Sequence, residues 1–269
     1  MHWRPVYAVL EREVVRMFRQ RTRLLSAMVR PLIWMFVIGA GFGAVLGQAH
    51  GMSYQQYLVP GVLGMTLLFG AMLASLTMVY DKESGVMRML IIAPFGHHWI
   101  VIAKMLSAAL AALLQSLLLL ALLAVLGYIG ADTRFGMLLL GLLATSIACA
   151  GIGMLVAAFT RTLDNFAAIM NFVIFPVFFL SGSLYPVSQL PTALKMVALI
   201  NPYTYGVDLL KHALLHAPAS GMTADASATT DLLVLAGFSA AALLIACWRF
   251  SRESAYEPMI HILTGKRGG

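Results

Sequence analysis

Hydrophobic and polar positions divide the chain into long apolar stretches joined by short polar segments. A helix of about 20 apolar residues crosses the ~30 Å hydrocarbon core of a bilayer. The pattern therefore predicts an all-α membrane protein with six transmembrane helices. The stretches near that length are 25–46, 59–79, 101–126, 136–159, 166–184 and 230–249.

The first 24 residues form a different kind of segment, in which apolar residues and arginines recur at helical spacing on separate faces. A basic amphipathic helix lies at the headgroup boundary, where anionic lipid attracts its charged face. We therefore predict an N-terminal interfacial helix, although the same arginines would also serve as a topology signal alone. The basic face consists of Arg12, Arg16, Arg19 and Arg23.

A charged island at 80–94 separates the second and third apolar stretches. Its first half cannot lie in hydrocarbon, because unpaired charges there are costly. Its second half is apolar and ends at a proline, so we predict a short cytoplasmic helix that docks on a partner. The charges of Glu83 and Arg88 would set the register of docking, and the apolar residues would anchor it. An ordinary helix on the membrane surface is the alternative. The residues assigned to docking are Asp81, Lys82, Glu83, Ser84, Gly85, Met87, Arg88, Leu90, Ile91 and Pro94.

The segment between Tyr185 and Thr229 is too apolar for a free loop, and prolines interrupt it early. Asn201 followed by Pro202 has the form of a helix start, with a capping side chain before a proline in the first turn. We predict short, broken helices that re-enter the outer leaflet and pack against protein. A pair of helices lying flat on the surface is the alternative.

Small residues form one face of the first span, with Gly39, Gly43 and Gly47 at successive intervals of four. A face of this kind lets two helices approach closely. The spacing predicts helix packing, but it does not distinguish a contact within the chain from a seam between two copies.

Composition agrees with a membrane protein, since 61% of the 269 residues are hydrophobic and 11% are charged, against roughly 25% charged in soluble domains. The net charge of +7 does not indicate nucleic acid, because the charges are arranged by side. With the N-terminus inside, 15 of the 18 Lys and Arg residues fall on inner segments, as the positive-inside rule requires. Both termini and the island are therefore predicted to be cytoplasmic. Cys149 and Cys247 lie in apolar stretches and predict no disulfide.

The sequence offers little that would support chemistry. No acidic residue, Lys or His lies in the middle of a predicted span, which disfavours coupling to an ion gradient. Gly265-Lys266 lacks the remainder of a phosphate-binding GxxxxGK loop, so no nucleotide site is predicted. His97 and His98 point apart on a helix without a nearby carboxylate or Cys, so no metal site is predicted. We expect neither a cofactor nor an enzyme activity.

Three blocks of the chain stand out in order: Glu83–Leu90 with Pro94 and Lys104, Asn171–Pro186, and Leu190-Pro191 with Asn201–Asp208. Taken together, they resemble the permease subunits of type-2 ABC exporters, which move polysaccharides, lipo-oligosaccharides and drugs. The likeness extends over essentially the whole chain. One departure concerns the island, where Met87 and Arg88 stand although many family members have an acidic residue shortly after the loop glycine.

This resemblance implies a single permease domain over 1–269, composed of the interfacial helix at 1–24, the six-span bundle at 25–249 and a cytoplasmic tail at 250–269. It implies a homodimer in a bacterial inner membrane, joined to two copies of a separate ATP-binding subunit. That subunit would bind ATP and magnesium, and the island would be the coupling helix seated on it.

The resemblance also places the transport path along spans one, two and five and the outer re-entrant helices. Aromatic residues there suit an amphipathic or lipid-linked cargo, although core packing explains them equally well. A membrane scaffold that recruits a cytoplasmic partner through 80–94, without transport, is the alternative function. The candidate path or exit residues are Phe42, Tyr57, Phe172, Phe175, Phe179, Tyr185 and Tyr203.

Overall fold

A computed structural model describes residues 7, 10–12, 15, 28–46, 53–87, 96–130, 132–215 and 224–264, with the side chains of 45, 46, 97 and 252–264 excepted. All regular structure in these residues is helical, so the predicted all-α class is confirmed there. The first helix, α1, is apolar from Met28 to Ala44 and contains a π-helical turn at Trp34–Ile38 ahead of Gly39–Leu46. The other helices are α2 (Tyr54–Glu83), α3 (His97–Val125), α4 (Phe135–Phe159), α5 (Leu163–Phe179), α6 (Thr192–Ile200), α7 (Pro202–Leu214) and α8 (Ala228–Thr264).

Each predicted apolar stretch corresponds to a helix. α2, α3, α4 and the Ala228–Ser251 part of α8 are long and apolar enough to cross a membrane. α1 and α5 are apolar but shorter; at 1.5 Å per residue, the 17 residues of α5 span about 26 Å. The described helices therefore fit a membrane protein, and the count of six crossings depends on α1 and α5.

Two helices extend beyond their predicted limits. α2 begins at Tyr54, after a capping box formed by Ser53 and Gln56, and it continues to Glu83 rather than stopping near residue 79. α8 continues to Thr264, through most of the segment that was predicted to be a tail. Charged residues end an apolar stretch without ending a helix, because Lys, Arg and Glu are good helix formers.

α2 lies at the centre of the fold and packs against α1, α3, α4, α5 and α7. In the most apolar 18-residue stretch of α2, 72% is buried, whereas 22% of the corresponding stretch of α8 is buried. Glycines permit this close packing. A Cβ at Gly61 would collide with the backbone of Ser183, and a Cβ at Gly64 would lie 2.6 Å from the Tyr203 hydroxyl. Small residues are therefore required where α2 meets the connection after α5 and the start of α7.

The segment between α5 and α8 contains two short helices, as the prolines and Asn201 predicted. The Asn201 side chain accepts a hydrogen bond from the Tyr203 amide at 3.1 Å. Its Nδ2 donates to the Val177 carbonyl at 2.7 Å, so Asn201 both caps α7 and fastens it to α5. α7 is buried against α2, α4 and α8, whereas α6 is largely exposed. The predicted start of α7 is confirmed, and of the two helices only α6 has the exposure of a surface helix.

α1 is held beside α2 and α5 by aromatic contacts. Trp34 packs edge-on against Phe178 and Phe179 of α5, with ring centroids 5.6 and 5.8 Å away. The guanidinium of Arg30 lies 4.2 Å from the centroid of the Phe69 ring on α2, which is a cation–π distance. These contacts bring the shorter apolar helices α1 and α5 together along the central helix.

Candidate functional site

The end of α2 brings a buried carboxylate into contact with two other segments. Asp81 is 3% exposed, and its Oδ2 lies 2.5 Å from the Nζ of Lys104 on α3, which is buried as well. Arg12 reaches the same oxygen at 3.4 Å from the N-terminal segment. Removing one member of a buried ion pair leaves an uncompensated charge, which is strongly unfavourable. Asp81 therefore fixes α2 to α3 and to the N-terminal segment.

The next two residues hold the turn between α4 and α5. The Lys82 ammonium donates to the carbonyl oxygens of Ala157 and Ala158 at 3.0 and 3.3 Å, in the last turn of α4. Glu83 Oε2 accepts a hydrogen bond from the Leu163 amide at 2.9 Å, at the first residue of α5. A cation at a helix C-terminus and an anion at a helix N-terminus satisfy free backbone groups and complement the helix dipoles. This pair therefore fastens two helix ends to the end of α2.

The chain leaves α2 through a tight turn at Ser84 and Gly85. The Ser84 hydroxyl donates to the Tyr80 carbonyl at 2.7 Å, and Gly85 has a φ of +77°. A Cβ at Gly85 would meet nothing within 4 Å, so the backbone angle alone favours glycine at this position. Met87 then returns to the core, where it is 4% exposed.

Contacts inside the chain are made by five of the predicted docking residues: Asp81, Lys82, Glu83, Ser84 and Met87. Glu83 was expected to select a partner, and here it caps the start of α5. Met87 was expected to anchor in a partner's pocket, and here it belongs to the hydrophobic core. The described part of the island is thus an attachment to the helix bundle. The predicted site residues Arg16, Arg19, Arg23, Arg88, Leu90, Ile91 and Pro94 lie outside the described residues.

Comparison with known proteins assigns most of this chain to one protein family. The sequence profile of one protein family, described as ABC-2 type transporter, matches residues 4–215. The match includes the end of α2, the capped turn between α4 and α5, and both short helices before α8. The chain belongs to the ABC-2 transporter family.

Individual relatives are similar over most of this ABC-2 permease. A Nodulation protein J from Rhizobium leguminosarum bv. trifolii is 29% identical over 226 residues, which cover 82% of this chain and 85% of the relative. A Nodulation protein J from Rhizobium meliloti (strain 1021) is 27% identical over 226 residues, with the same two coverages of 82% and 85%. A ycf38 transport permease from Cyanophora paradoxa is 23% identical over 217 residues, 78% of this chain and 74% of the relative.

The candidate path residues of the ABC-2 permease separate into buried and exposed sets. Tyr57 on α2 and Tyr203 on α7 are each 1% exposed and belong to the core. Phe42 on α1 and Phe172 and Phe175 on α5 are 51%, 81% and 50% exposed. The exposed aromatic residues therefore form a surface of α1 and α5, whereas the two tyrosines pack inside the single chain.

Phe179 and Tyr185 are half-buried where α5 ends. The Tyr185 hydroxyl donates to the Phe179 carbonyl at 2.6 Å, and the Tyr57 hydroxyl donates to the Gly182 carbonyl at 3.2 Å. The last carbonyl groups of a helix lack partners within it. Tyr57 and Tyr185 therefore hold the chain at the point where it leaves α5.

The predicted glycine face of α1 is also divided. A Cβ at Gly39 would lie 3.2 Å from both Gln55 and Leu58 of α2, so Gly39 permits a close contact within the chain. A Cβ at Gly43 would meet nothing within 4 Å. Gly47 lies outside the described residues. The sequence did not distinguish a contact within the chain from a seam between two copies. At Gly39 the contact is within the chain, whereas Gly43 faces open space.

A second charged group, which the sequence analysis missed, lies near the N-terminal end of α2. Lys211 of α7 is 1% exposed, and its Nζ lies 3.3 Å from Asp225 and 4.0 Å from Asp208. The same ammonium is 5.7 Å from the centroid of the Tyr57 ring. Asp208 accepts hydrogen bonds from the amides of Asp225 and Ala226 at 2.7 and 2.8 Å. Burial raises the pKa of Asp208, and these two backbone donors and the Lys211 ammonium oppose that shift.

The sequence signal for this second group is weak, because its members come from separate segments. Lys211 lies in the predicted outer segment between the fifth and sixth spans, and Asp231 lies at the end of the sixth apolar stretch. The one local signal is the four-residue spacing of Asp208 and His212, which puts both side chains on one face of a helix. Only the packing of α8 against α7 brings Asp231 to that face.

Proposed function

We propose that the chain is the membrane-spanning subunit of an ATP-driven exporter, powered by a separate ATP-binding subunit that docks on the 80–94 segment. Membership of the ABC-2 transporter family carries this proposal, since the family match extends over residues 4–215. The contacts at the end of α2 add a mechanical reason. Asp81, Lys82 and Glu83 attach the start of the docking segment to α3, α4 and α5.

Coupling would work through these attachments. A partner that displaces the docking segment also displaces α2, because Met87 is seated in the core just after the turn at Gly85. The Asp81–Lys104 pair extends the displacement to α3, and the capping contacts extend it to the ends of α4 and α5. Close-packed interiors have low compressibility and transmit strain. The charges of Asp81, Lys82 and Glu83 would thus act inside the permease, as the attachment through which the ATPase moves the helix bundle.

The proposed topology has six crossings, with both termini in the cytoplasm of a bacterial cell and the whole chain forming one permease domain in the inner membrane. It is supported by a helix at each apolar stretch and by the side preference of 15 of the 18 basic residues. α1 and α5 would cross as a shorter pair beside α2. The burial of α7 among α2, α4 and α8 favours a re-entrant position for α7, with α6 at the outer surface.

Two copies of the chain and two ATP-binding subunits would form the transporter. Phe172 and Phe175 project from α5 into open space, and α5 carries no charged residue after Asp164. On a membrane-crossing helix an apolar face contacts lipid, a neighbouring helix or an apolar ligand. This face therefore suits either the second copy or the apolar part of an amphipathic cargo, such as a lipo-oligosaccharide, a lipid-linked polysaccharide or a drug.

The first test of the exporter is purification of the tagged chain from its native membrane in mild detergent, followed by mass spectrometry. The expected result is a stoichiometric partner with a Walker A motif, whose rate of ATP hydrolysis changes when the correct cargo is added. A partner without a nucleotide-binding motif would instead support the alternative, a membrane scaffold that recruits a cytoplasmic protein through the same segment.

Docking through the 80–94 segment is tested by Gly85→Val, with Gly127→Val as the matched control. The two glycines have φ values of +77° and +80°, and a Cβ at either would meet nothing within 4 Å. Both substitutions therefore impose similar backbone strain, at different turns. We expect Gly85→Val to lose most of the co-purified ATPase and Gly127→Val to retain it. Equal retention by the two variants would refute docking at this segment.

A further inference from the structure

A carboxylate at the start of α8 is buried without a matching positive charge. Asp231 is 0% exposed, and neither of its oxygens has a hydrogen-bond partner among the described residues. Asp208 and Asp225 add two carboxylates to the same region, where Lys211 is their cationic contact. Burying an ionised carboxylate without a partner is costly. The arrangement is therefore completed either by a proton on Asp231 or by a further cation.

Asp231 faces two side chains of α7. Asp208 and His212 lie four residues apart and share one face of that helix. One ligand atom from each of the three side chains lies within 4.8 Å of the other two. The Nε2 of His212 is 3.6 Å from Asp231 Oδ2, which is too long for a hydrogen bond. That distance is close to the roughly 3.4 Å that separates two ligands of a tetrahedral ion with bonds of about 2.1 Å.

We propose that Asp208, His212 and Asp231 bind a divalent transition-metal ion of the type represented by Zn²⁺. Imidazole and carboxylate are both ligands of Zn²⁺, and the ion would supply the positive charge that Asp231 lacks. Lys211 forms its ion pairs with Asp225 at 3.3 Å and Asp208 at 4.0 Å, so it acts on the Asp231 carboxylate through a longer-range charge interaction and not as an ion-pair partner. The two backbone amides that bind Asp208 hold its carboxylate in position, as hydrogen bonds behind a metal ligand commonly do.

His212 supplies the access route and sets one condition for binding. Its side chain is 27% exposed, whereas that of Asp231 is 0% exposed, so an ion would enter past the imidazole. The Nε2 lies 2.9 Å from the Ala226 carbonyl oxygen. A carbonyl oxygen only accepts, so this contact is a hydrogen bond donated by the Nε2–H group. Metal binding therefore requires the proton to move to Nδ1 and this hydrogen bond to be given up, which frees Nε2 as a ligand. The ion would then join the start of α8 to α7, at the end of α2 opposite the docking segment.

The test measures metal binding by the purified full chain, without its partner, so that its outcome is independent of the exporter proposal. The chain in detergent is stripped with a chelator and titrated with Zn²⁺ by calorimetry, and bound metal is quantified by mass spectrometry. We expect one Zn²⁺ per chain and a thermal midpoint that rises with Zn²⁺ concentration. Asp231→Asn should weaken Zn²⁺ binding at least about a hundredfold, because removing a metal ligand lowers affinity more than removing a residue that only hydrogen-bonds to a ligand. Asp132→Asn, at an exposed aspartate in the loop before α4, should bind as the wild type does.

Two results would overturn the proposal. One is the absence of stoichiometric Zn²⁺ binding by the wild-type chain. The other is equal Zn²⁺ affinity in the wild type and in Asp231→Asn. In that case, a thermal midpoint for Asp231→Asn at or above that of the metal-free wild type would show that Asp231 carries a proton instead of binding a metal ion. If Asp231→Asn does not fold, His212→Gln at the partly exposed position provides the same comparison, and unchanged affinity there would equally refute the site.

Discussion

The ion pair between Asp81 and Lys104 gives the strictest test of how the end of α2 is held. The two side chains are 4% and 1% exposed, so Lys104→Met would leave the Asp81 carboxylate buried without its nearest partner. Breaking a buried pair by removing one member costs about 3–5 kcal/mol. Arg12 lies 3.4 Å from the same carboxylate and would offset part of the loss. We therefore expect Lys104→Met to lower the free energy of unfolding by about 3 kcal/mol, the lower end of that range.

Asp81→Asn should cost a similar amount, because it leaves the Lys104 ammonium in the same buried position. The double variant removes both charges, so its cost should fall below the sum of the single costs by at least about 2 kcal/mol. The measurement is the free energy of reversible unfolding in bicelles for the wild type, both single variants and the double variant. Lys195→Met removes an exposed lysine of α6 and should change stability by no more than about 0.5 kcal/mol.

Additive costs would refute this reasoning. If the double variant loses the sum of the single losses to within about 0.5 kcal/mol, the two side chains act independently. A loss below about 1 kcal/mol for Lys104→Met would also contradict the structure, because that value is typical of solvent-exposed ion pairs. Either result would remove the main contact by which α2 is proposed to move α3.

Two further substitutions test packing and capping through the thermal midpoint of unfolding. Gly61→Ala should destabilise the chain by about 1–3 kcal/mol, because a Cβ there collides with the backbone of Ser183. The control Gly43→Ala, at a position in open space, should be neutral or stabilising by up to about 1 kcal/mol. Equal effects of the two substitutions would contradict the packing of α2. Asn201→Ala should cost about 1–2 kcal/mol, since it removes the cap of α7 and the bond to α5. Asn165→Ala, exposed in the first turn of α5, is its control, and an equal loss there would refute the capping role.

The helices α1 to α5 and α8 could be predicted from the sequence because each is marked by a long run of apolar side chains. The start of α7 could be predicted as well, since Asn201 and Pro202 form a local capping signal that does not depend on distant residues. The ends of α2 and α8 were placed too early, because the limit of an apolar run marks where a helix would leave hydrocarbon. Helix propensity continues through Lys82 and Glu83, so the helix itself continues.

The charged contacts could not be predicted, because they depend on which helices become neighbours. In the sequence, Lys82 and Glu83 have the same appearance whether they face a partner protein or cap the ends of α4 and α5. Asp81 and Lys104 pair only once α2 packs against α3. Lys211 resembles a loop lysine until α7 is buried.

Among the described residues, α2 connects the charged contacts around Asp81 with those around Lys211. Tyr57 lies 24 positions before Asp81, so the helix carries about 36 Å between them at 1.5 Å per residue. Most of this stretch is buried among the other helices, which keeps it stiff. Pro60 lacks the backbone N–H that would bond one turn back, so the helix is weakest one turn from Tyr57, the residue that contacts Gly182 and Lys211. A displacement of the docking segment would therefore bend α2 most near Pro60, beside the point where the chain leaves α5. An exporter powered by a separate subunit needs a mechanical link of this kind.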